Sequence, residues 1–395
     1  MRKIELGYLK ISPRAKRYIA EVLESNRLSS GPFTRRFERA FAAEHGCEEA
    51  ILCNSGTSAL QIAVAALKER HGWKDGDELL VPAVTFIATS NVVLQNRLVP
   101  VFVDVDPFTY NMDPGQVEKQ LTPRTRAVVP VHLVGLPCDM EPLLSFAKKQ
   151  GLQLLEDSCE TMFVRYRGKP VGSFGTLACF STYVAHLLVT GVGGLITTND
   201  GELATLCRSI LAHGRDPAYL SIDDDDRLEN EAVRSRIIQS RFSFVRMGYS
   251  YRVTELEAAL GLAALEEKEE AISLRRRNGL YLLEHLRPLE KYLQLPFIPS
   301  DREHAFMMFP LVLKEGIHRE PLVSFLEANG VETRSLFPLL NQPFYRQLFG
   351  NLEERYPAAK RINSQGFYIG CHQGLSPEDL DDVARLFHDY FQRLC

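Results

Sequence analysis

The sequence predicts an α/β protein in two parts, a large domain around a mostly parallel sheet and a small α+β domain after it. Three observations carry this reading. Strand-like runs recur with helical patterns among them: ELLVPAVTF, VPVFVDVD, AVVPVHLVG, LQLLED, LACFST and GGLITT. These runs are apolar rather than cleanly alternating, as expected of strands covered by helices on both faces. Beyond a long helical stretch that starts at Thr254, the chain changes to shorter strands and helices with Pro- and Gly-rich turns. We place an N-terminal arm and the large domain in residues 1–265 and the small domain in residues 266–395. A chain of 395 residues can bury a core of that size.

Taken in order, residues 1–30 read as an arm and a helix with a start signal at Ser12-Pro13. The turn Ser29-Ser30-Gly31-Pro32 leads to an amphipathic helix with Phe33, Phe37, Ala40 and Phe41 on about one face. A short strand at residues 49–52 precedes the turn Asn54-Ser55-Gly56-Thr57-Ser58. That turn opens a helix, ALQIAVAALKER, whose apolar circumference predicts burial. Residues 213–252 form a charged insertion. Its four aspartates, residues 223–226, lack the spaced ligands and glycines of a metal loop and read as a solvated loop.

Composition narrows the function classes. Hydrophobic residues make up 45% and charged residues 24%, as in an ordinary soluble protein. A formal charge of −4 gives no case for nucleic acid or an acidic membrane. There is no apolar window of about 20 residues to span a bilayer. The N-terminus has no apolar signal core, so a cytoplasmic enzyme is expected. The eight cysteines are scattered without a CxxC pair, which suggests reduced, mostly buried thiols and no metal or iron–sulfur ligand set.

Several residues carry chemistry on their own terms. Ser55-Gly56-Thr57-Ser58 precedes a helix, where free N–H groups and the dipole favour a phosphate. Read alone, such a turn is more often only an N-cap. Asp157 ends the strand LQLLED at the sheet edge where open α/β folds bind ligands. A carboxylate there can pair with a pyridinium or simply cap a turn. Phe86, unaided, reads as core. His186 follows the strand LACFST and reads alone as a satisfied polar residue, although imidazole can serve as a base near neutral pH. No lysine occurs between Lys169 and Lys268.

Together these stretches resemble the DegT/DnrJ/EryC1/StrS sugar aminotransferase family of pyridoxal-phosphate enzymes. The resemblance runs nearly the full length and implies the aspartate-aminotransferase-like fold (fold type I), with a seven-stranded, mostly parallel sheet. It implies that the Gly56-Thr57 turn, with Ser58, and Ser181 hold the cofactor phosphate, that Phe86 stacks on the ring, and that Asp157 pairs with its nitrogen. Glu160 stands where most members have glutamine beside the ring. The stretch MGYSYRVTELEAALGLAALE resembles the segment that reaches a neighbouring subunit's site, which implies a homodimer with shared sites. Ser250 stands there in place of a common asparagine.

His186 stands where most members carry the lysine that anchors the cofactor covalently. Histidine there, preceded by Ala185, resembles a branch of the family, the 3-dehydratases of nucleotide-linked 4-keto-6-deoxy sugars. The stretches ETRSLF (residues 332–337) and GFYIGCH (residues 366–372) look like that branch too. One branch type carries an iron–sulfur cluster, and the cysteine scatter favours the cluster-free type. The resemblance therefore implies noncovalent pyridoxamine or pyridoxal phosphate, His186 as base, a nucleotide-linked keto sugar as substrate and glutamate as amino donor. Arg334 is the candidate for a carboxylate or nucleotide phosphate. Two other readings stay open: amination by a lysine-free route, and a catalytically silent nucleotide-sugar-binding homologue.

Overall fold

A computed structural model describes residues 2–29, 31–217 and 230–393. The four aspartates at residues 223–226 lie outside the described residues. The large sheet has seven strands: β1 (Glu49–Cys53), β2 (Glu78–Pro82), β3 (Val99–Val103), β4 (Thr125–Val128), β5 (Gln153–Asp157), β6 (Leu177–Ser181) and β7 (Gly194–Thr198). Their order is β1-β7-β6-β5-β4-β2-β3. Only β7 runs antiparallel to its neighbours, β1 and β6; the other pairs are parallel. Every residue of β2, β6 and β7 is buried, which explains why these runs lack alternation. The seven-stranded, mostly parallel sheet expected from the sequence is present.

This topology gathers the site. The C-terminal ends of β1, β2, β5 and β6 and the start of β7 share one edge, with Cys53 and Ser181 both paired to Gly194. Asp157 pairs with Cys179 on the next strand. Helices α1 (Pro13–Glu24), α2 (Pro32–Glu44), α3 (Gly56–His71) and α4 (Ile87–Gln95) come from the first part of the chain. Ser12 caps α1 by accepting from the Ala15 N–H at 3.1 Å, with Pro13 in the first turn. Phe33, Phe37 and Phe41 bury one face of α2, and α3 buries most of its circumference.

The long helix expected from Thr254 is two helices, α5 (Glu255–Glu266) and α6 (Lys268–Leu286). Glu267 leaves helical geometry at φ −114°. Glu266, Glu269 and Glu270 would stack like charges at helical spacing across that point. Tertiary partners hold the break instead: Arg14 reaches Glu266 and Glu267, and Lys268 reaches Glu44. Among the described residues no helix is long and apolar enough to cross a membrane.

The second sheet contains β8 (Leu293–Gln294), β9 (Met308–Leu313), β10 (Thr333–Ser335) and β11 (Gly366–Gly370). Its order is β8-β9-β11-β10, antiparallel throughout. A separate core of residues such as Leu282, Phe309, Phe367 and Phe387 packs against it. The N-terminal arm joins that core: Ile4 is buried in it and pairs with Val331. A few residues on, Gly7 passes so close to the histidine-bearing turn that a Cβ there would lie 3.0 Å from the Val184 carbonyl oxygen.

Candidate functional site

The turn before α3 forms because Ser55 caps the helix, its Oγ accepting from the Ser58 N–H at 3.0 Å and donating to Ser58 Oγ at 2.9 Å. The Gly56 and Thr57 N–H groups belong to the first turn, which has no partner within the helix. Thr57 is exposed and Ser58 is buried. Gly56 is required by packing: a Cβ there would lie 2.7 Å from Ser181 Cβ and 2.9 Å from Cys159 Sγ. One close approach thus joins the turn, Ser181 and the segment just after Asp157. The glycine-rich turn at residues 190–194 backs it, since a Cβ on Gly194 would stand 2.4 Å from the Ser55 carbonyl carbon.

Asp157 is buried at the end of β5. Thr89 donates to its Oδ2 at 2.7 Å and the Cys159 N–H to its Oδ1 at 3.1 Å. Burial raises its pKa, and these hydrogen bonds only partly oppose it. Among the described residues, no cationic side chain forms an ion pair with this carboxylate. Thr89 also bonds Thr85 at 2.8 Å, fixing the loop that carries Phe86. Phe86 is 58% exposed at the start of α4, so it is no core residue. Glu160 is buried, its Oε2 accepting from the Val134 N–H at 2.9 Å. Burial first and then the Asp157 charge raise it to about 8, so its carboxyl is largely protonated at neutral pH.

Behind Asp157 lies a rigid support. Glu156 accepts from the N–H groups of Gly172, Phe174 and Gly175 at 2.8, 2.7 and 2.6 Å. His132 Nε2 lies 3.1 Å from the same carboxylate. The Cys138 N–H donates to His132 Nδ1 at 3.0 Å, so Nε2 carries the proton given to Glu156. Burial would raise the Glu156 carboxyl, but this set of donors holds it below its ordinary value. Successive strand residues point to opposite faces, which divides Glu156 and Asp157 between support and site.

His186 sits on the turn after β6, with Nδ1 2.6 Å from the Cys159 carbonyl oxygen. A carbonyl only accepts, so Nδ1 bears the hydrogen of the neutral ring and Nε2 carries none. Burial lowers the ring's pKa to about 4; the Arg275 charge adds to this, and hydrogen bonds to the Cys159 and Ser181 backbone oppose it. The imidazole is therefore unprotonated at neutral pH.

Other candidates are placed differently. Ser250 is exposed, and its hydroxyl accepts from Arg252 at 3.1 Å rather than meeting this cluster. Its neighbour Tyr251 does approach, its carbonyl accepting from the Asn54 N–H at 2.8 Å. Arg334 pairs with Glu332 at 2.5 Å and lies opposite Tyr368 in the small sheet. Sequence reasoning assigned no role to Thr89, the Cys159 carbonyl, Arg275 or Tyr368. Tyr368 is nearly buried and lies near both Glu160 and Arg334. Thr85 and Thr89, four apart, were the only visible hint of the hydroxyl pair.

These residues fit a phosphorylated aromatic cation. Gly56, Thr57, Ser58 and Ser181 offer donors around a tight turn, Phe86 offers a ring face, and Asp157 offers a buried carboxylate with no ion-pair partner among the described residues. Comparison with known proteins agrees in extent. GDP-perosamine synthase of Caulobacter vibrioides is 34% identical over 385 residues, covering 96% of each chain. The dTDP-4-dehydro-2,6-dideoxy-D-glucose 3-dehydratase of Saccharopolyspora spinosa is 32% identical over 376 residues, 92% of this chain and 81% of that one. Among solved structures, E. coli GDP-4-keto-6-deoxy-D-mannose-3-dehydratase with bound hydrated PLP has a TM-score of 0.87 at 27% identity, covering 98% of this chain and 99% of that one. A profile of the DegT/DnrJ/EryC1/StrS aminotransferase family matches residues 10–388, and the chain belongs to that family.

Proposed function

We propose that the protein is a pyridoxamine-phosphate-dependent 3-dehydratase of a nucleotide-linked 4-keto-6-deoxyhexose, acting in deoxysugar biosynthesis. The observation that carries this reading is His186, a neutral imidazole held through Nδ1 at the site, with no lysine near it in sequence. The bound cofactor supplies an amine for the sugar ketone and an electron-accepting ring. Gly56, Thr57, Ser58 and Ser181 would hold its phosphate, Phe86 would cover one ring face, and Asp157 would keep the ring nitrogen protonated. Glu160, as a neutral carboxyl, would donate a hydrogen bond beside the ring. Nε2 of His186 accepts the proton whose removal starts loss of the C3 hydroxyl. Without an anchoring lysine near His186, these residues would hold the cofactor noncovalently, and glutamate would serve as the donor of its amine.

Shared sites in a homodimer belong to the same reading. Phe242, Phe244, Val245 and Met247 are exposed apolar side chains in the segment that leads to Ser250, and a second copy would cover them. Arg334 would meet the substrate's anionic groups from the small sheet.

Mass analysis of products from a panel of nucleotide-linked 4-keto-6-deoxy sugars, with glutamate and cofactor present, tests the reading. Dehydrated sugar with release of ammonia supports it. An amino sugar would overturn it in favour of amination, the reading favoured by the 34% identity to GDP-perosamine synthase.

A further inference from the structure

Arg275 is fully buried on α6, and its side chain reaches the backbone of the His186 turn. Its Nη1 donates to the Met307 carbonyl at 2.9 Å and its Nη2 to the His186 carbonyl at 3.4 Å. Its Nε has no hydrogen-bond partner. Among the described residues no carboxylate forms an ion pair with it. Its other titratable neighbours, at the end of β11, are neutral: burial pushes the Cys371 thiol up to about 12 and the His372 ring down to about 4. Burial lowers Arg275 itself only to about 10, so it remains a cation at neutral pH.

Such a group is costly. A buried charge is strongly disfavoured unless it is paired and hydrogen-bonded. Packing therefore gives no reason for a lone guanidinium here, and its location does. It links Met307, at the start of the small sheet, to the backbone of the one histidine the proposed reaction needs. Hydrogen bonds to the Cys159 and Ser181 backbone favour a proton on that ring, and Arg275 is the charge that opposes one. The Cys159 thiol, from the turn after β5, is held protonated by burial, and Tyr183 stands edge-on at 6.3 Å.

We propose that Arg275 is a positioning residue for His186: its unneutralised guanidinium fixes the histidine carbonyl and disfavours a second positive charge on the ring, keeping Nε2 unprotonated for proton transfer. This rests on His186 acting as the base. The Cys159 carbonyl selects which ring nitrogen carries the hydrogen, and Arg275 opposes protonation of the other. A like charge nearby is one of the recognised ways a cationic acid is weakened. The elements involved differ in origin, because α6 and Met307 lie beyond the large sheet while Cys159 and His186 belong to its edge.

The test is titration of the His186 ring by NMR in histidine-labelled apoprotein, with the resonance assigned by its loss in His186→Asn. The wild-type ring is expected to titrate well below the ordinary ~6.5. Arg275→Met should raise it by about one unit or more, whereas Arg275→Lys, which keeps the charge, should leave it near the wild-type value. Where Arg275→Met does not fold, Arg275→Gln retains a donor for the Met307 carbonyl without the charge and is read the same way. In turnover, the neutral variants should lower kcat and shift the acid limb of its pH profile upward with KM little changed. A wild-type ring titrating near 6.5, or a folded neutral variant with an unmoved ring, overturns the proposal. The titration needs no sugar chemistry, so an amino-sugar product would remove the dehydratase reading and leave the Arg275–His186 coupling to its own result.

Discussion

At the scale of single residues, the site depends on contacts too short to survive small changes. Gly56 shows this most directly, because a methyl group there would lie 2.7 Å from Ser181 Cβ. Alanine favours a helix over glycine by about 1 kcal/mol, so Gly56→Ala should leave the chain folded while forcing the turn before α3 and Ser181 apart. We expect weaker cofactor binding, by tenfold or more (about 1.4 kcal/mol), read from the cofactor's absorbance in a titration. Unchanged affinity would mean that this turn does not hold the phosphate. His186 gives the complementary case. His186→Lys replaces an unprotonated Nε2 with an amine that is cationic at neutral pH, so dehydration should fall by about 10²-fold or more. Dehydration at the native rate would remove His186 from its assigned role.

At the scale of elements, what could be read from sequence was the periodicity, and what could not was the set of contacts between distant segments. The apolar runs predicted strands covered on both faces because such burial leaves that signature, and the count of seven came with the family resemblance. The Glu-Asp pair at the end of β5 was legible as a site, but its division of labour was not. Only the folded chain brings His132 and the turn at residues 172–175 to Glu156, and Thr89 to Asp157. Arg275 begins a run of three arginines, a pattern that normally marks a solvated helix face, and its burial has no local signature. The start of α2 is another case. Proline follows Gly31, and no local side chain caps the helix. The cap comes from α5, where the buried Glu255 carboxylate accepts from the N–H groups of Gly31, Phe33 and Thr34 at 2.8, 2.8 and 2.9 Å and from the Thr34 hydroxyl. Glu255→Ala would leave those buried donors without partners, at a cost of about 3 kcal/mol. Urea unfolding monitored by circular dichroism measures it, and a loss below about 0.5 kcal/mol would show that water or another side chain replaces the cap.

At the scale of the whole molecule, buried titratable groups set how stability depends on pH. Burial lowers His45, His186 and His372 to about 4 and His304 to about 3. Unfolded histidines titrate near ~6.5. Between those values the unfolded chain binds more protons than the folded one, so stability rises with pH. Two glutamates act in the opposite sense. Burial raises Glu38 to about 7 and Glu160 to about 8, against an unfolded value near ~4.3. The folded chain therefore holds extra protons above that value, and stability is lost as pH rises through 7 and 8. Below about pH 6 the four histidines outweigh the two glutamates, and above about pH 7 the balance reverses. Thermal unfolding of the apoprotein, in buffers of matched ionic strength from pH 5 to 9, should accordingly give a melting temperature that peaks between about pH 6 and 7. His186→Asn should flatten the acid limb, because it removes one of the four depressed groups, and leave the alkaline limb in place. Glu160→Gln should flatten the alkaline limb and steepen the acid one, because the extra proton it holds in the folded chain opposes the histidines from about pH 4.3 upward. A profile that climbs steadily to pH 9 would show that Glu38 and Glu160 are ionised in the folded chain, and would remove the neutral carboxyl assigned to the site.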